Sequence, residues 1–152
     1  MAKERVELID PIGDLRSIAG VAIVLPLRDR TQVELSRTDC FALGLKNVPI
    51  RLSGDLDGST GVIIATNRNE VEIKSGVIVA RRHVHLDLKT AAALGVKNGE
   101  SVSLLFRSER SGRLDDVVAR VSANYKPAVH IDCDEANAVG FGGGDVLVQK
   151  TQ

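Results

Sequence analysis

Several residue types are scarce in this sequence of 152 residues, and each scarcity excludes a class of function. There is no Trp, one Tyr and only three Phe, so an aromatic platform for stacking nucleic-acid bases is not expected. The 20 basic and 20 acidic residues cancel and are interspersed along the chain. A basic surface for nucleic acid or for an anionic membrane is therefore not expected either. The sequence predicts neither of these as a partner.

Cysteine and long apolar runs are also scarce. The two cysteines, Cys40 and Cys133, are too few for a disulfide framework and stand in no CxxC pair. No apolar run approaches the roughly 20 residues that a membrane-spanning helix needs. The first residues, MAKERVELIDP, are charged and lack the apolar centre of a signal peptide. These features together predict a cytoplasmic protein in a reducing compartment.

Short runs rich in β-branched residues dominate what is present. Typical runs are GVIIA (61–65), HVHL (83–86) and SVSLLF (101–106), each bounded by turn-forming residues. The segment LSGDLDGSTG (52–61) is itself composed of turn formers. Many short strands with little helix predict a mainly β fold of the barrel or sandwich type rather than a parallel sheet.

One unit of sequence occurs three times. QVELSRTDCFALGLKN (32–47) aligns without a gap with HVHLDLKTAAALGVKN (83–98), and AVHIDCDEANAVGFGGGD (128–145) follows the same pattern. Each copy has a strand, a polar residue that can cap a helix, a short helix, and a glycine suited to the left-handed position after it. The caps and glycines are Ser36 and Gly44, Asp87 and Gly95, and Asp132 and Gly140. The sequence therefore predicts three strand–helix units built alike.

The three histidines fall in matching positions of this repeat. Two residues before each predicted cap stand Glu34, His85 and His130. Because strand side chains alternate with period two, His83 lies on the same face as His85. Neutral imidazole is a favoured zinc ligand, and three histidines with open positions are typical of catalytic zinc. We predict a metal site here, against the alternative that ordinary hydrogen bonds satisfy all three histidines.

The charged residues near these strands have more than one interpretation. Glu34 is a ligand to a second metal, a group that orients a ligand, or a solvated carboxylate. Arg28 and Arg30 precede it, and Arg81 and Arg82 precede the His-x-His pair. Arginine beside a metal suits phosphate or another oxyanion through paired hydrogen bonds. Each of the four is also explained as a solvated surface residue.

Four strings carry a resemblance to a known family: LRDRTQVELSRTDCFALGL, RLSGDLDGSTG, VIVARRHVHLDLKTAAALGVKNGESV and HIDCDEANA. In this order, covering nearly the whole chain from about Val21, they resemble the phosphate propanoyltransferases, a family of phosphotransacylases. The resemblance implies paired small β-barrels with short helices, a two-zinc site, and reversible transfer of a propanoyl or acetyl group between coenzyme A and phosphate. It also implies a role in propanediol utilization, with the lumen of a bacterial microcompartment as an alternative to the open cytoplasm.

The resemblance assigns roles by position. It implies that His83, His85 and His130 hold one zinc and that Glu34 is the carboxylate ligand of a second zinc. It further implies that Arg28 holds phosphate. Asn137, in the DEANA string, resembles a coenzyme A contact.

Members of this family open with an NRHVHLS segment, whose two histidines complete the second zinc site, whereas the first 20 residues here contain no histidine. We therefore expect that the first strand–helix unit is missing. Residues 1–50 would form an incomplete first barrel and residues 51–152 a second barrel with the His-x-His pair, with strands exchanged between the two.

Three functional alternatives follow from this departure. A homo-oligomer or a partner chain supplies the missing ligands and the enzyme is active. Otherwise the chain is a non-catalytic or partner-dependent zinc-binding subunit. The last alternative is a metal hydrolase that uses three histidine ligands and Glu34 as general base.

Overall fold

The computed structural model describes residues 2–13 and 15–151, which form eleven strands and three short helices. The first six strands are β1 (Arg5–Ile9), β2 (Ser17–Ala22), β3 (Val33–Glu34), β4 (Ile50–Arg51), β5 (Thr60–Ala65) and β6 (Glu70–Ala80). The other five are β7 (His83–Leu86), β8 (Ser101–Phe106), β9 (Gly112–Val121), β10 (Ala128–His130) and β11 (Leu147–Lys150). The helices are α1 (Arg37–Ala42), α2 (Leu88–Leu94) and α3 (Cys133–Ala138). The predicted mainly β class with short helices is confirmed. No helix in the described part of the chain is both long and apolar enough to cross a bilayer.

The backbone forms two compact units, residues 1–80 and 81–152. The sequence analysis placed a boundary at residue 50 instead. The difference arises because β5 and β6, which follow residue 50, pair with strands that precede it. β5 lies antiparallel to β1, and β6 lies parallel to β3. Backbone hydrogen bonds thus tie residues 51–80 to residues 1–50.

The first unit contains one curled sheet in the order β2-β1-β5-β6-β3, with β4 also paired to β6. β3 and β4 run parallel to β6, and the other pairs are antiparallel. Its core consists of apolar side chains from the strands, from α1 and from the segments that flank α1. The members of this core cluster with no exposed surface are Leu8, Leu43, Val62 and Val77.

The second unit contains a sheet in the order β10-β7-β9-β8-β11. β7 is parallel to β9, and the remaining pairs are antiparallel. Its core contains Val84, Val102, Leu104 and Val117, each at most 1% exposed. This sheet carries the three histidines on β7 and β10.

The repeat predicted from the sequence is present in both units. Ser36, Asp87 and Asp132 cap the three helices, and each side chain accepts a hydrogen bond from the backbone N–H three residues on. In the third copy the Glu135 side chain also accepts from the Asp132 N–H, which completes a capping box. The glycines after the helices, Gly44, Gly95 and Gly140, have φ of +76°, +63° and +58°. This left-handed conformation favours glycine, as the sequence predicted.

Gly61 provides a test of how tightly the first sheet is packed. It lies where the register between β5 and β6 shifts, and a Cβ there would come within 2.4 Å of the Ile73 carbonyl oxygen. Because the obstacle is backbone, a Gly61→Ala chain must move a strand. We expect the free energy of unfolding in urea to fall by about 2–3 kcal/mol.

The control is Gly142→Ala, since a Cβ at Gly142 meets nothing within 4 Å and its φ is not left-handed. Its unfolding free energy should stay within about 0.5 kcal/mol of the parent. Equal losses in the two variants would show that the close approach at Gly61 is not what limits the position.

Candidate functional site

The histidine pair on β7 is aimed by strand alternation. Val84 and Leu86 are each 1% exposed and pack in the core of the second unit. Because successive strand side chains point to opposite faces, His83 and His85 project from the other face of the sheet. The apolar residues of the strand thereby fix the direction of both imidazoles.

His130 joins the pair through the antiparallel pairing of β10 with β7. That pairing sets His130 directly opposite His83 and Ala128 opposite His85. The rings of His83 and His130 stack with centroids 4.6 Å apart and planes 6° from parallel. One ligand nitrogen from each of the three histidines lies within 4.8 Å of the others. Three nitrogens this close can hold a single metal ion.

His85 has the chemical state that a metal ligand requires. Its Nε2 atom is buried and has no hydrogen-bond partner among the described residues. Burial of the ring, and next the neighbouring His130 and His83, lower the pKa of His85 from 6.5 to about 4. His85 is therefore neutral at physiological pH, the form in which imidazole binds metals. A buried nitrogen without a protein partner is suited to binding a metal ion.

Two contacts hold the imidazoles of this cluster in place. The Tyr125 ring stacks on His85 with centroids 4.1 Å apart and planes 7° from parallel. The His83 Nδ1 atom lies 3.0 Å from the backbone carbonyl oxygen of Arg81. A hydrogen bond at one ring nitrogen fixes the tautomer and leaves the other nitrogen for a ligand.

Arg82 connects the start of β7 to the start of α3. Its Nη1 donates to Glu135 Oε1 at 3.0 Å, and its Nε donates to the Asp115 carbonyl oxygen at 2.6 Å. The second oxygen of Glu135 accepts from the Asp132 N–H, two residues after His130. Arg82 is therefore engaged within the protein, and its ion pair braces the strands that carry His83 and His130.

The first unit brings Arg28 and Glu34 together through two intermediate side chains. Arg28 Nη1 donates to Ser53 Oγ at 3.0 Å, and Gln32 Nε2 donates to the same oxygen at 2.8 Å. Gln32 Nε2 also donates to Glu34 Oε1. The predicted phosphate-binding arginine and the predicted metal carboxylate thus belong to one hydrogen-bonded chain, although both side chains are exposed.

Asn137 lies on α3 and lines an open pocket of about 440 Å³. The same pocket is lined by Arg110, Phe141 and the glycines that follow the helix. Together with the carboxylate of Glu109, an amide, a guanidinium and an aromatic ring line this cavity, which offers both polar and planar contacts to a ligand. The coenzyme A contact of Asn137 stays a prediction.

Other candidates from the sequence are placed elsewhere. Arg30 forms an exposed ion pair with Asp57 at 2.9 Å. Cys40 is buried in the core of the first unit, and Cys133 is exposed at the start of α3. Sequence analysis missed Ser53, Tyr125 and Glu135 as members of the sites. The only signals for them were a turn segment, a lone tyrosine and a helix-capping motif, none of which indicates a site.

This is a mainly β protein with a candidate metal centre. It has two sheets, a three-histidine cluster, and an arginine that is linked to a carboxylate through other side chains. A family model described as phosphate propanoyltransferase matches residues 1–142. The chain belongs to the phosphate propanoyltransferase family.

Individual relatives agree with this assignment. The chain is 47% identical over 142 residues to a phosphate propanoyltransferase of Sebaldella termitidis, covering 93% of this chain and 65% of the relative. It is 46% identical over 138 residues to the protein of that name from Alkaliphilus metalliredigens, covering 91% and 63%. A Clostridioides difficile relative is 45% identical over 144 residues, covering 95% and 67%. The chain therefore spans about two thirds of the length of these relatives.

The Arg82–Glu135 pair predicts a measurable coupling in stability. Its side chains are only 28% and 20% exposed, so solvent screens the pair less than it screens a surface pair. In a double-mutant cycle with Arg82→Met and Glu135→Gln, we expect a coupling energy of about 1 kcal/mol in urea unfolding.

The matched control is the Arg51–Asp55 pair, at 3.3 Å and 42% and 53% exposed. The same cycle there, with Arg51→Met and Asp55→Asn, should give less than about 0.5 kcal/mol. No difference between the two cycles would mean that the Arg82 pair does not brace the sheet.

Proposed function

We propose that this chain acts in the reversible transfer of a short acyl group, propanoyl or acetyl, between coenzyme A and inorganic phosphate, with bound zinc. The observation that carries the proposal is the series of hydrogen bonds that links Arg28 to Glu34, in a member of the phosphate propanoyltransferase family. Two intermediate side chains link a guanidinium, a group suited to an oxyanion, to a carboxylate, a group suited to a metal.

The residues proposed to hold zinc fit the metal in donor type. His83, His85 and His130 would be the three nitrogen ligands of one ion, and Glu34 a carboxylate ligand of another. When bound, zinc would supply a Lewis acid that polarises a thioester carbonyl and favours a thiolate leaving group. The neutral His85 with its unpaired Nε2 supports this assignment.

The remaining roles belong to residues that touch substrate. Arg28 would hold phosphate through the guanidinium N–H groups that do not contact Ser53, so that a phosphate oxygen is kept in place to attack the thioester. Asn137 would donate or accept a hydrogen bond from coenzyme A in its pocket. The proposed route requires no covalent intermediate on either cysteine, since Cys40 is buried and Cys133 is not part of the three-histidine group.

Assembly and location are part of the same proposal. The substrates are acyl-coenzyme A and phosphate, and a second copy or a partner chain would add ligands to the Glu34 site. The proposed location is the cytoplasm or the lumen of a bacterial microcompartment, in propanediol utilization. Light scattering measures the mass of the assembly directly, for the purified chain alone and for the chain co-expressed with a candidate partner chain.

The zinc assignment predicts a change in metal content. The purified chain should retain zinc after dialysis, and His83→Ala should weaken zinc binding at least tenfold, because loss of even a supporting group commonly costs about 10–100-fold. Lys89→Ala, at an exposed position on α2, is the control and should retain zinc as the parent does. A parent chain without zinc, or a His83→Ala chain with unchanged affinity, would contradict the assignment.

The activity assignment predicts turnover of propanoyl-phosphate and acetyl-phosphate with coenzyme A. Arg28→Lys should lower kcat/KM for these substrates about 10–100-fold, because lysine cannot make the paired hydrogen bonds of a guanidinium. Arg30→Lys is the matched control, since Arg30 is occupied by Asp57. A zinc-loaded parent without turnover, alone or with a partner chain, would favour the non-catalytic zinc-binding subunit.

A further inference from the structure

Ser53 occupies a position in the first unit that the assigned roles do not use. It lies in the turn segment between β4 and β5, half-buried, with the Asp55 N–H bonded to the Leu52 carbonyl around it. Its Oγ accepts two hydrogen bonds, from Arg28 Nη1 at 3.0 Å and from Gln32 Nε2 at 2.8 Å. Two donors therefore converge on one hydroxyl oxygen.

This arrangement fixes what the hydroxyl can still do. A serine hydroxyl has two acceptor positions and one donor hydrogen. Guanidinium and amide N–H groups only donate, so both acceptor positions of Ser53 are filled and its hydrogen must point away from them. Among the hydrogen bonds of residues 2–13 and 15–151, the Ser53 hydroxyl donates none. A donor next to the Arg28 guanidinium is thus available to a ligand.

Gln32 holds this geometry in place. Its Nε2 donates to Glu34 Oε1 and to Ser53 Oγ, and its Oε1 accepts from the Gly54 N–H at 2.8 Å. A carboxylate can only accept and a backbone N–H can only donate, so these partners settle which end of the amide is nitrogen. Both amide hydrogens and the amide oxygen are occupied. Gln32 therefore locks the turn carrying Ser53 against the end of β3.

We propose that the Ser53 hydroxyl is a second donor to the phosphate held by Arg28, and that Gln32 is the positioning residue that aims it. This inference rests on the proposed function and assigns two residues that the sequence analysis did not. Arg28 supplies charge and Ser53 supplies a neutral donor at an angle fixed by Gln32. Paired donors of this kind bind a tetrahedral oxyanion more tightly than a single flexible cation does.

Two sources of the oxyanion are possible in this reaction, inorganic phosphate and the phosphate groups of coenzyme A. The proposal assigns the site to inorganic phosphate, because the acceptor of the acyl group must lie beside the metal carboxylate to which Gln32 is bonded. Binding of each ligand alone distinguishes the sources.

The test uses equilibrium dialysis with the zinc-treated full chain. It measures the dissociation constant of labelled inorganic phosphate and, separately, that of coenzyme A. Ser53→Ala should weaken phosphate binding about tenfold, as expected for loss of one hydrogen bond to a charged group. Ser53→Thr keeps the hydroxyl and should stay within about threefold of the parent. Gln32→Ala keeps the Ser53 residue but should weaken phosphate binding, because nothing then aims its hydroxyl. Coenzyme A binding should be unchanged in all three variants.

Two controls separate this role from a structural one. Ser111→Ala removes an exposed hydroxyl from a loop of the second unit and should change neither dissociation constant. Thermal unfolding without ligands should show Ser53→Ala folded as the parent is. If the Ser53→Ala chain does not fold, phosphate binding is compared between Ser53→Thr and Ser53→Cys instead. The cysteine variant keeps the size of the side chain but weakens its hydrogen-bond donor.

Each outcome decides the inference. Unchanged phosphate binding in Ser53→Ala, or no phosphate binding by the parent, overturns it. Weaker binding of coenzyme A alone assigns the hydroxyl to that ligand and also overturns it. If the parent turns over substrate while Ser53→Ala leaves the dissociation constant for phosphate unchanged, the inference is overturned but the proposed function stands. Phosphate binding that depends on Ser53, without turnover, supports the inference and contradicts the proposed function.

Discussion

The pairing of β7 with two neighbours determines the histidine cluster. β9 runs parallel to β7 on one side and β10 runs antiparallel on the other, so three residues, His83 to His85, pair with both neighbours. A slip of one residue would turn His83 and His85 into the core and expose Val84 and Leu86. Burial of one such apolar side chain stabilises a protein by about 1.5–3 kcal/mol, so the core strongly disfavours that slip. Apolar packing on one face thereby specifies the ligand geometry on the other.

The cluster is also prepared before any metal binds. A histidine in contact with solvent keeps a pKa near its usual value. Burial instead lowers the pKa of His85, which keeps the ring neutral, and its Nε2 atom has no hydrogen-bond partner among the described residues. A neutral ligand releases no proton when it binds a metal, and a stacked ring loses little freedom. The cost is a buried polar atom without a partner, which the packing of the second unit must offset. Such a local cost is expected at functional sites rather than in ordinary cores.

The two sites use the same kind of unit for different chemistry. β3 and β7 open equivalent repeats, and each runs parallel to a longer strand, β6 or β9. On β7 the two positions that face away from the core carry imidazoles, while the corresponding positions on β3 and just before it carry a carboxylate and an amide. The amide of Gln32 connects Glu34 to Arg28 through Ser53. One scaffold thus supplies a nitrogen-rich centre and an oxygen-rich one.

Local patterns in the sequence determined a large part of this protein. Helix caps, left-handed glycines and the period of the strands depend on residues three or four apart, so Ser36, Asp87 and Asp132 could be assigned from the chain alone. β1 is less evident from the sequence, because Arg5 and Glu7 interrupt its apolar positions and give it the look of a charged terminal segment. The His-x-His pair was evident for the same local reason, since period two places both rings on one face.

Contacts between distant residues were decided only by the tertiary structure. Sequence alignment placed His130 in the column of His85, yet antiparallel pairing sets it opposite His83. Arg82 contacts Glu135, His85 contacts Tyr125, and Arg28 contacts Ser53. The two residues of each pair lie 25 to 53 positions apart in the sequence. The division into residues 1–80 and 81–152 depends on such pairing as well. The physical reason is that strand order, direction and register are fixed by burial over the whole unit, which no short stretch of sequence contains.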